Sequence, residues 1–510
     1  MKKNKQNLKL GVLASYLWVV VHIGVNFIYA PLLLSTLGKS EYGLYQVIAS
    51  FLAYINVLET SLSAGVLRFY CNAKANNNEK NTQNVLAICR VIYQKLTVVI
   101  IGVGCVVLFV FRSFYVSSFT NKELTEGTVM LTLLIFNICI TMLNALYLAC
   151  IRGNERYVFE KLLSIISQII QPILCLMILY KLPYAVVVTL IQVLMNAIVS
   201  IIRYIYAKRE LDVKIVLYNR DSRLERSILL FAGGLLLSNI ADQIFWKTDQ
   251  IILAKMYNTA TVAVYAIGSQ IYTNYMYVGT TVAGVFFPKV SVYYQQQDGL
   301  KKISDLFVRV GRIAFTLCFL VLSAFVIFGK EFIYFWVGQE YYSAYGVALV
   351  VMIPFTLDVI QNLGLTILQV IDKYSFRAKM YFVAAVLNII STIMLAKYFA
   401  GFGAALSTGI TMLITSGIIM NIYYCKIVRL DIFMFWKNIA NIFLRLLPIV
   451  VLGMATNQVL GQTNSIMLFV IKMAGYSLVY CIAAYIFAMN GEERETVKKL
   501  FSKVLKKVKM

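Results

Sequence analysis

Three ionisable residues fall inside one long apolar stretch from Leu229 to Met256, LLFAGGLLLSNIADQIFWKTDQIILAKM: Asp242, Lys247 and Asp249. Turned at about 100° per residue, one side of such a helix collects Asn239, Asp242, Gln243, Trp246, Lys247, Asp249 and Gln250. The other side collects Ile240, Ala241, Ile244, Phe245, Thr248, Ile251 and Ile252. A charged group at the centre of a bilayer costs roughly 2.5–3.5 kcal/mol even on the lenient insertion scale. Three charges on one wet face therefore predict a polar cavity or pathway. The competing account is a set of buried ion pairs that only lock helices together.

The rest of the chain has to hold that face in a membrane. Of 510 residues, 60% are hydrophobic and 14% charged, and mean hydropathy is +0.76. A soluble protein averages about 45–50% apolar and about 25% charged, so this is an integral membrane protein. The net charge of +24 does not point to nucleic acid, because the basic residues cluster in short loops where the positive-inside rule places them. The nine cysteines have no CxxC spacing and lie in apolar spans or cytoplasm-assigned loops, as small packing residues do. No cofactor or metal is implied. The basic start MKKNKQNLKL leads into an apolar span without a small-residue cleavage site, which reads as a retained first helix.

An all-α fold follows, with about fourteen spans near 10–34, 42–66, 84–111, 127–151, 157–180, 183–207, 228–255, 260–287, 306–329, 342–371, 376–397, 402–425, 436–456 and 464–489, each near the roughly 20 residues needed to cross. Every even-numbered loop is more basic than its odd neighbours. The sixth, with Arg203, Lys208, Arg209, Lys214, Arg220, Arg223 and Arg226, is the richest. The alternation predicts a multi-pass protein of the cytoplasmic membrane with both termini in the cytoplasm. All loops are short, so an enzyme would have to work within the bilayer.

The sequence repeats weakly at an offset of 220, aligning Tyr45 with Tyr265. His22, Asn26 and Tyr29, which share a face with Ser15, then fall on Asp242, Trp246 and Asp249. Gln46, Ser50, Tyr54 and Ser61 form a stripe on the second span; Gln270, Asn274, Tyr277 and Thr281 form one on the eighth. The expected organisation is an N-terminal lobe over 1–220, a C-terminal lobe over 221–427, and two further spans with a basic tail over 428–510. Pseudo-symmetric lobes around a central cavity are the usual plan of an alternating-access transporter.

The run Ala30–Tyr70 carries Pro31, Leu37-Gly38, Tyr42-Gly43-Leu44-Tyr45, Gly65 and Arg68. Further on stand Arg152-Gly153-Asn154-Glu155-Arg156-Tyr157 with Lys161, Asp249-Gln250-Ile251-Ile252-Leu253, Val262-Ala263-Val264-Tyr265, Pro288-Lys289, Trp336-Val337-Gly338 and Gln361-Asn362. In this order they resemble the polysaccharide (oligosaccharide) flippase family of the multidrug/oligosaccharidyl-lipid/polysaccharide exporter superfamily. The likeness covers most of the chain and is weakest after about residue 430. It implies two lobes of helices and the movement of a polyprenyl-pyrophosphate-linked oligosaccharide from the inner to the outer leaflet. It also implies a place in surface polysaccharide synthesis of the capsule or O-antigen type, with a polymerase or assembly proteins as possible partners. A pyrophosphate and a sugar chain cannot cross hydrocarbon unaided, since their polar groups would lose their hydrogen bonds.

With that substrate, Arg68, Arg90 and Lys247 become candidates for phosphate oxygens; Arg68 could equally anchor a span end, and Arg90 and Lys95 could snorkel. Asn26, Gln270 and Asn274 suit sugar hydroxyls, while Tyr29, Trp246 and Tyr265 suit sugar faces. Asp242, Asp249 and Glu59 suit a coupling cation from an H+ or Na+ gradient, and His22, the only histidine, suits a proton sensor. Flippases for the peptidoglycan precursor carry an arginine in the middle of the first span; this helix has none. The competing expectations are a cation-coupled multidrug exporter of the same superfamily and, from another class, a membrane polymerase or glycosyltransferase. Against the last, the sequence has no large outer loop, no loop-borne paired carboxylates, no phosphate-cradling motif and no metal-spaced histidine cluster.

Overall fold

The structure is a computed structural model. It describes the backbone of residues 2–76, 78–283, 286–495 and 498. It also describes their side chains except at 2–13, 15, 16, 55, 58, 59, 234, 237, 238, 278–283, 287 and 288. The expectations placed on the side chains of Ser15, Glu59, Thr281 and Pro288 thus lie outside the described residues.

Among the described residues the chain is all helical: α1 Lys2–Ala75, α2 Glu79–Tyr115, α3 Asn121–Gly153, α4 Tyr157–Leu179, α5 Ala185–Arg209, α6 Ser222–Met256, α7 Thr259–Ala283, α8 Phe287–Tyr294, α9 Gly299–Val337, α10 Ser343–Ile360, α11 Leu363–Val370, α12 Tyr374–Met412, α13 Met420–Tyr423, α14 Ile432–Leu460 and α15 Ile466–Ala483. In hydrocarbon a backbone must satisfy its own polar groups, and helices do so within one segment. Ten of these helices are long and apolar enough to cross a membrane. Two of the ten are broken, at Gly38 (φ 76°) and Ala400 (φ 47°), so each holds two straight segments. Wide-turn stretches at Leu413–Ile419 and Tyr424–Val428 flank α13, and another, Ala484–Ala488, follows α15.

Polar residues stand where helices start. Thr120 and Glu123 form a reciprocal capping box on α3, and the Asp221 carboxylate accepts from the Arg223 and Leu224 amides to open α6. Large apolar side chains such as Val98 and Phe109 on α2 and Ile173 and Met177 on α4 are exposed, as lipid-facing surfaces are.

The chain forms two compact units, Met1–Ala266 with Ile389–Ala404, and Ile267–Asn388 with Ala405–Met510. In the first, α1 packs on α6, α3 and α4, and α3 packs on α5. In the second, α9 packs on α10, α14 and α15. Gly43 in α1 sits where a Cβ would lie 1.8 Å from the Thr259 carbonyl oxygen, so only glycine allows this approach. The loop motif around Arg152 is likewise architectural. Arg152 clamps the buried Glu160 through two nitrogens at 2.7 and 3.1 Å, Asn154 donates to the Tyr70 hydroxyl at 3.0 Å, and Glu155 turns the chain at φ 57°.

Candidate functional site

The apolar register of α6 sets two polar edges in the first unit. One edge faces the second half of α1 across an antiparallel ladder. Asn239 donates to Ser61 at 3.0 Å, Thr248 meets the Tyr54 hydroxyl at 2.5 Å, and Ser50 donates to Gln250 at 2.6 Å. Three of the four residues of the second-span polar stripe therefore bridge helices; an amide or hydroxyl held in a dry contact needs a partner.

The next residue of that edge is Asp249, 2% exposed. Its carboxylate accepts from the Tyr265 hydroxyl at 2.6 Å and from the Thr392 hydroxyl at 3.0 Å. Tyr265 is itself 1% exposed, so its ring is closed to a sugar face in this conformation and its hydroxyl serves the carboxylate. The result is a compact knot of oxygen atoms inside helices.

The other edge is more open. Asp242, Trp246 and Lys247 are each half-buried, and Trp246 packs edge-on against Phe245 with ring centroids 5.0 Å apart. Lys247 forms no ion pair and no hydrogen bond among the described residues. It is not locked to Asp242 or Asp249, as an ion-pair account of this helix would require.

Around His22 a second polar cluster joins α1 to α4. Trp18 stacks on the imidazole at 5.1 Å, the Asn26 amide nitrogen lies 3.2 Å from Nε2, and Gln168 contacts Nδ1. Lys161 sits 4.7 Å over the Trp18 ring. A neutral imidazole accepts at one ring nitrogen and donates from the other, so the tautomer decides which of the two amides it serves as acceptor. Tyr29, half-buried, lies beside Cys175.

The remaining candidates scatter. Arg68 is exposed and stacks over Phe231 at 4.5 Å and near Phe69 at 5.9 Å. Arg90 is exposed within electrostatic reach of the Tyr147 hydroxyl, and Lys95 pairs with Glu225 at 2.7 Å. In the second unit Gln270 and Asn274 lie half-buried one turn apart on α7.

Sequence reasoning passed over one cationic cluster in the second unit. Arg377 is clasped by aromatic rings, 4.4 Å from Tyr381 and 5.9 Å from Tyr374, and donates to the Tyr374 hydroxyl at 3.3 Å. Asp358 and Tyr424 lie within electrostatic reach of it, and Ser416 donates to Asp358 at 2.8 Å. The signal was present as Tyr374, Arg377 and Tyr381, spaced three and four apart on one helical face. No group of His, Cys, Asp and Glu able to hold a metal occurs among the described residues.

Comparison with known proteins adds three findings. The family model described as "Polysaccharide biosynthesis protein" matches residues 9–294. A curated protein of Shigella flexneri, named "Putative O-antigen transporter", is 18% identical over 393 residues, covering 76% of this chain and 90% of that one. Among solved structures, the lipid II flippase MurJ in an inward closed conformation superposes with TM-score 0.71 at 14% identity over 94% of this chain and 98% of that one. An inward-facing multidrug resistance MATE family transporter superposes with TM-score 0.63 at 14% identity over 78% of this chain and 92% of that one. These likenesses show the fold: the all-helical, multi-pass membrane fold that those transporters share.

Proposed function

Given that the chain belongs to the polysaccharide biosynthesis protein family, we propose that it is a flippase carrying a polyprenyl-pyrophosphate-linked oligosaccharide from the inner to the outer leaflet of the cytoplasmic membrane by alternating access. The product would feed surface polysaccharide of the capsule or O-antigen type. The observation that carries this reading is Lys247: a half-buried ammonium in a membrane helix with no partner among the described residues. An unpaired charge in such a place is expensive and persists where a mobile anion or water meets it.

In this reading Arg68, stacked over Phe231, and Lys247, about 24 Å further along α6, meet the pyrophosphate in turn, and its oxygens accept charge-assisted hydrogen bonds. Trp246 offers a face to a sugar ring, and Asn26, Gln270 and Asn274 offer amides to hydroxyls. Arg377, framed by tyrosines, is a cationic station within the second unit. Asp249 with its two hydroxyl donors suits a proton or small monovalent cation, and Asp242 and His22 are the other titratable groups on the helices concerned. The support from relatives is a transporter of O-antigen by name and a lipid flippase by fold.

The test is export in cells that depend on this chain. Lys247→Ala should abolish surface polysaccharide at unchanged membrane level, and Lys247→Arg should keep part of it. Wild-type export by the alanine variant removes Lys247 from the site. The likeness to multidrug transporters gives a second reading, drug export, which predicts raised drug resistance on expression.

A further inference from the structure

The seam between α3 and α5 changes character partway along. Asn196 donates to Asn137 and to Thr141, both at 2.7 Å. One turn further on, the same two faces bring up Asn144 and Ser200, and there the pairing stops. Asn144 is 6% exposed and Ser200 7% exposed, yet neither polar atom of Asn144 nor the Ser200 hydroxyl has a hydrogen-bond partner among the described residues. Both side chains line an open groove of about 340 Å³ with Leu143, Ile201, Tyr147 and Tyr204 among its walls. The surrounding surface is apolar and exposed, as at Phe136, Leu194 and Ile198.

The groove has a cationic mouth. Tyr147 and Tyr204 meet edge to face at 5.0 Å, Lys208 sits 5.3 Å over the Tyr204 ring, and Arg90 and Lys208 both lie within electrostatic reach of the Tyr147 hydroxyl. Tyr147 stands toward the C-terminal end of α3, Tyr204 and Lys208 toward that of α5, and Arg90 in the N-terminal part of α2, ends that the loop charges assign to the cytoplasm.

We propose that this groove binds an anionic diacyl phospholipid of the cytoplasmic leaflet. The phosphate rests between Arg90 and Lys208, the ester carbonyls accept from the Asn144 amide and the Ser200 hydroxyl, and one acyl chain follows Leu143 and Ile201. A basic pocket between membrane helices at the cytoplasmic side is suited to anionic head groups. Orphaned polar groups facing hydrocarbon are costly, and the esters of a diacyl lipid supply acceptors for the two donors, the Asn144 amide nitrogen and the Ser200 hydroxyl. A polyprenyl phosphate has no ester carbonyl below its phosphate and would leave both groups unmet.

The experiment uses the full-length protein in nanodiscs of equal phosphatidylglycerol and phosphatidylcholine, with lipid retained after detergent extraction counted by native mass spectrometry. Wild type should retain phosphatidylglycerol preferentially. Lys208→Gln should lower that preference about fivefold, and the double variant Asn144→Leu, Ser200→Ala should lower it roughly five- to tenfold. In lipid-free detergent the double variant should melt no lower than wild type, because it loses no internal hydrogen bond. Equal retention of the two lipids by wild type, an unchanged preference in the double variant, or a lower melting point of that variant in lipid-free detergent would each overturn the proposal. So would displacement of phosphatidylglycerol by an equimolar polyprenyl phosphate, which would give the groove to the carrier.

Discussion

Two lysines within apolar helices have different surroundings, and the roles proposed for them differ accordingly. The Lys472 side chain, 5% exposed, pairs with the Glu331 side chain, 4% exposed, at 2.9 Å and also donates to the Gly461 carbonyl at 2.9 Å. Lys247 is half-buried and has no such partners. A sealed pair is structural, so removing one member leaves a bare buried charge and costs about 3–5 kcal/mol. Glu331→Gln should therefore lower the melting point in detergent sharply, while the double variant Glu331→Leu, Lys472→Leu should recover most of it; equal melting of all three refutes the assignment. Lys247→Met should do the reverse, keeping or raising thermal stability while losing export. At Asp249, Asp249→Asn keeps the shape of the oxygen knot but removes its charge. If the carboxylate couples transport to a cation, the variant's export should fall about tenfold or more and lose its dependence on pH or sodium, one full decade corresponding to about 1.4 kcal/mol.

At the scale of the helix, contacts between elements explain which sequence signals were legible. The apolar runs gave the helices and the order of most spans, because period and length are local properties. The line of polar residues along α6 was legible too. What could not be read was its division: Asn239 and Gln250 pair with α1, joined by Thr248 from the side expected to be apolar, while Asp242, Trp246 and Lys247 are half-buried. That division depends on which neighbour packs there, a tertiary fact. Tyr265 shows the same limit, since nothing local tells a stacking ring from one buried over a carboxylate. The clamp that ties the segment after α15 to α9 offers a pH test. Arg312 donates to Glu493 through Nε at 2.8 Å and through Nη2 at 2.9 Å. Burial pushes the Glu493 carboxyl up, but the bonds from Arg312 and the Asn490 amide outweigh it and hold it below its ordinary 4.5. A carboxyl lowered in the folded state contributes stability that is fully present above about pH 4.5 and is lost as pH falls through the lowered value. Melting temperature should drop across that window in wild type and lose this component in Glu493→Gln; identical pH profiles would exclude it.

At the scale of the whole molecule, the reading of the loops proposes fourteen crossings and cytoplasmic termini. Among the described residues ten helices are long and apolar enough to cross a membrane, and two of them are broken into two segments. Single cysteines at Lys39, Lys122 and Lys255, in a background lacking the native nine, should react with an impermeant reagent from outside. One at Arg220 should not, and labelling there would reverse the orientation.

The Glu331–Lys472 pair also dictates something about how the chain is born. Its members are 141 residues apart, so at roughly 5–20 residues per second a ribosome leaves the glutamate without its lysine for about 7–28 s. During that interval α9 must be handed toward lipid with a naked acid, held by insertion machinery or protonated. Chains stopped short of residue 472 should accordingly be cleared by membrane proteases, and a glutamine at 331 should rescue them.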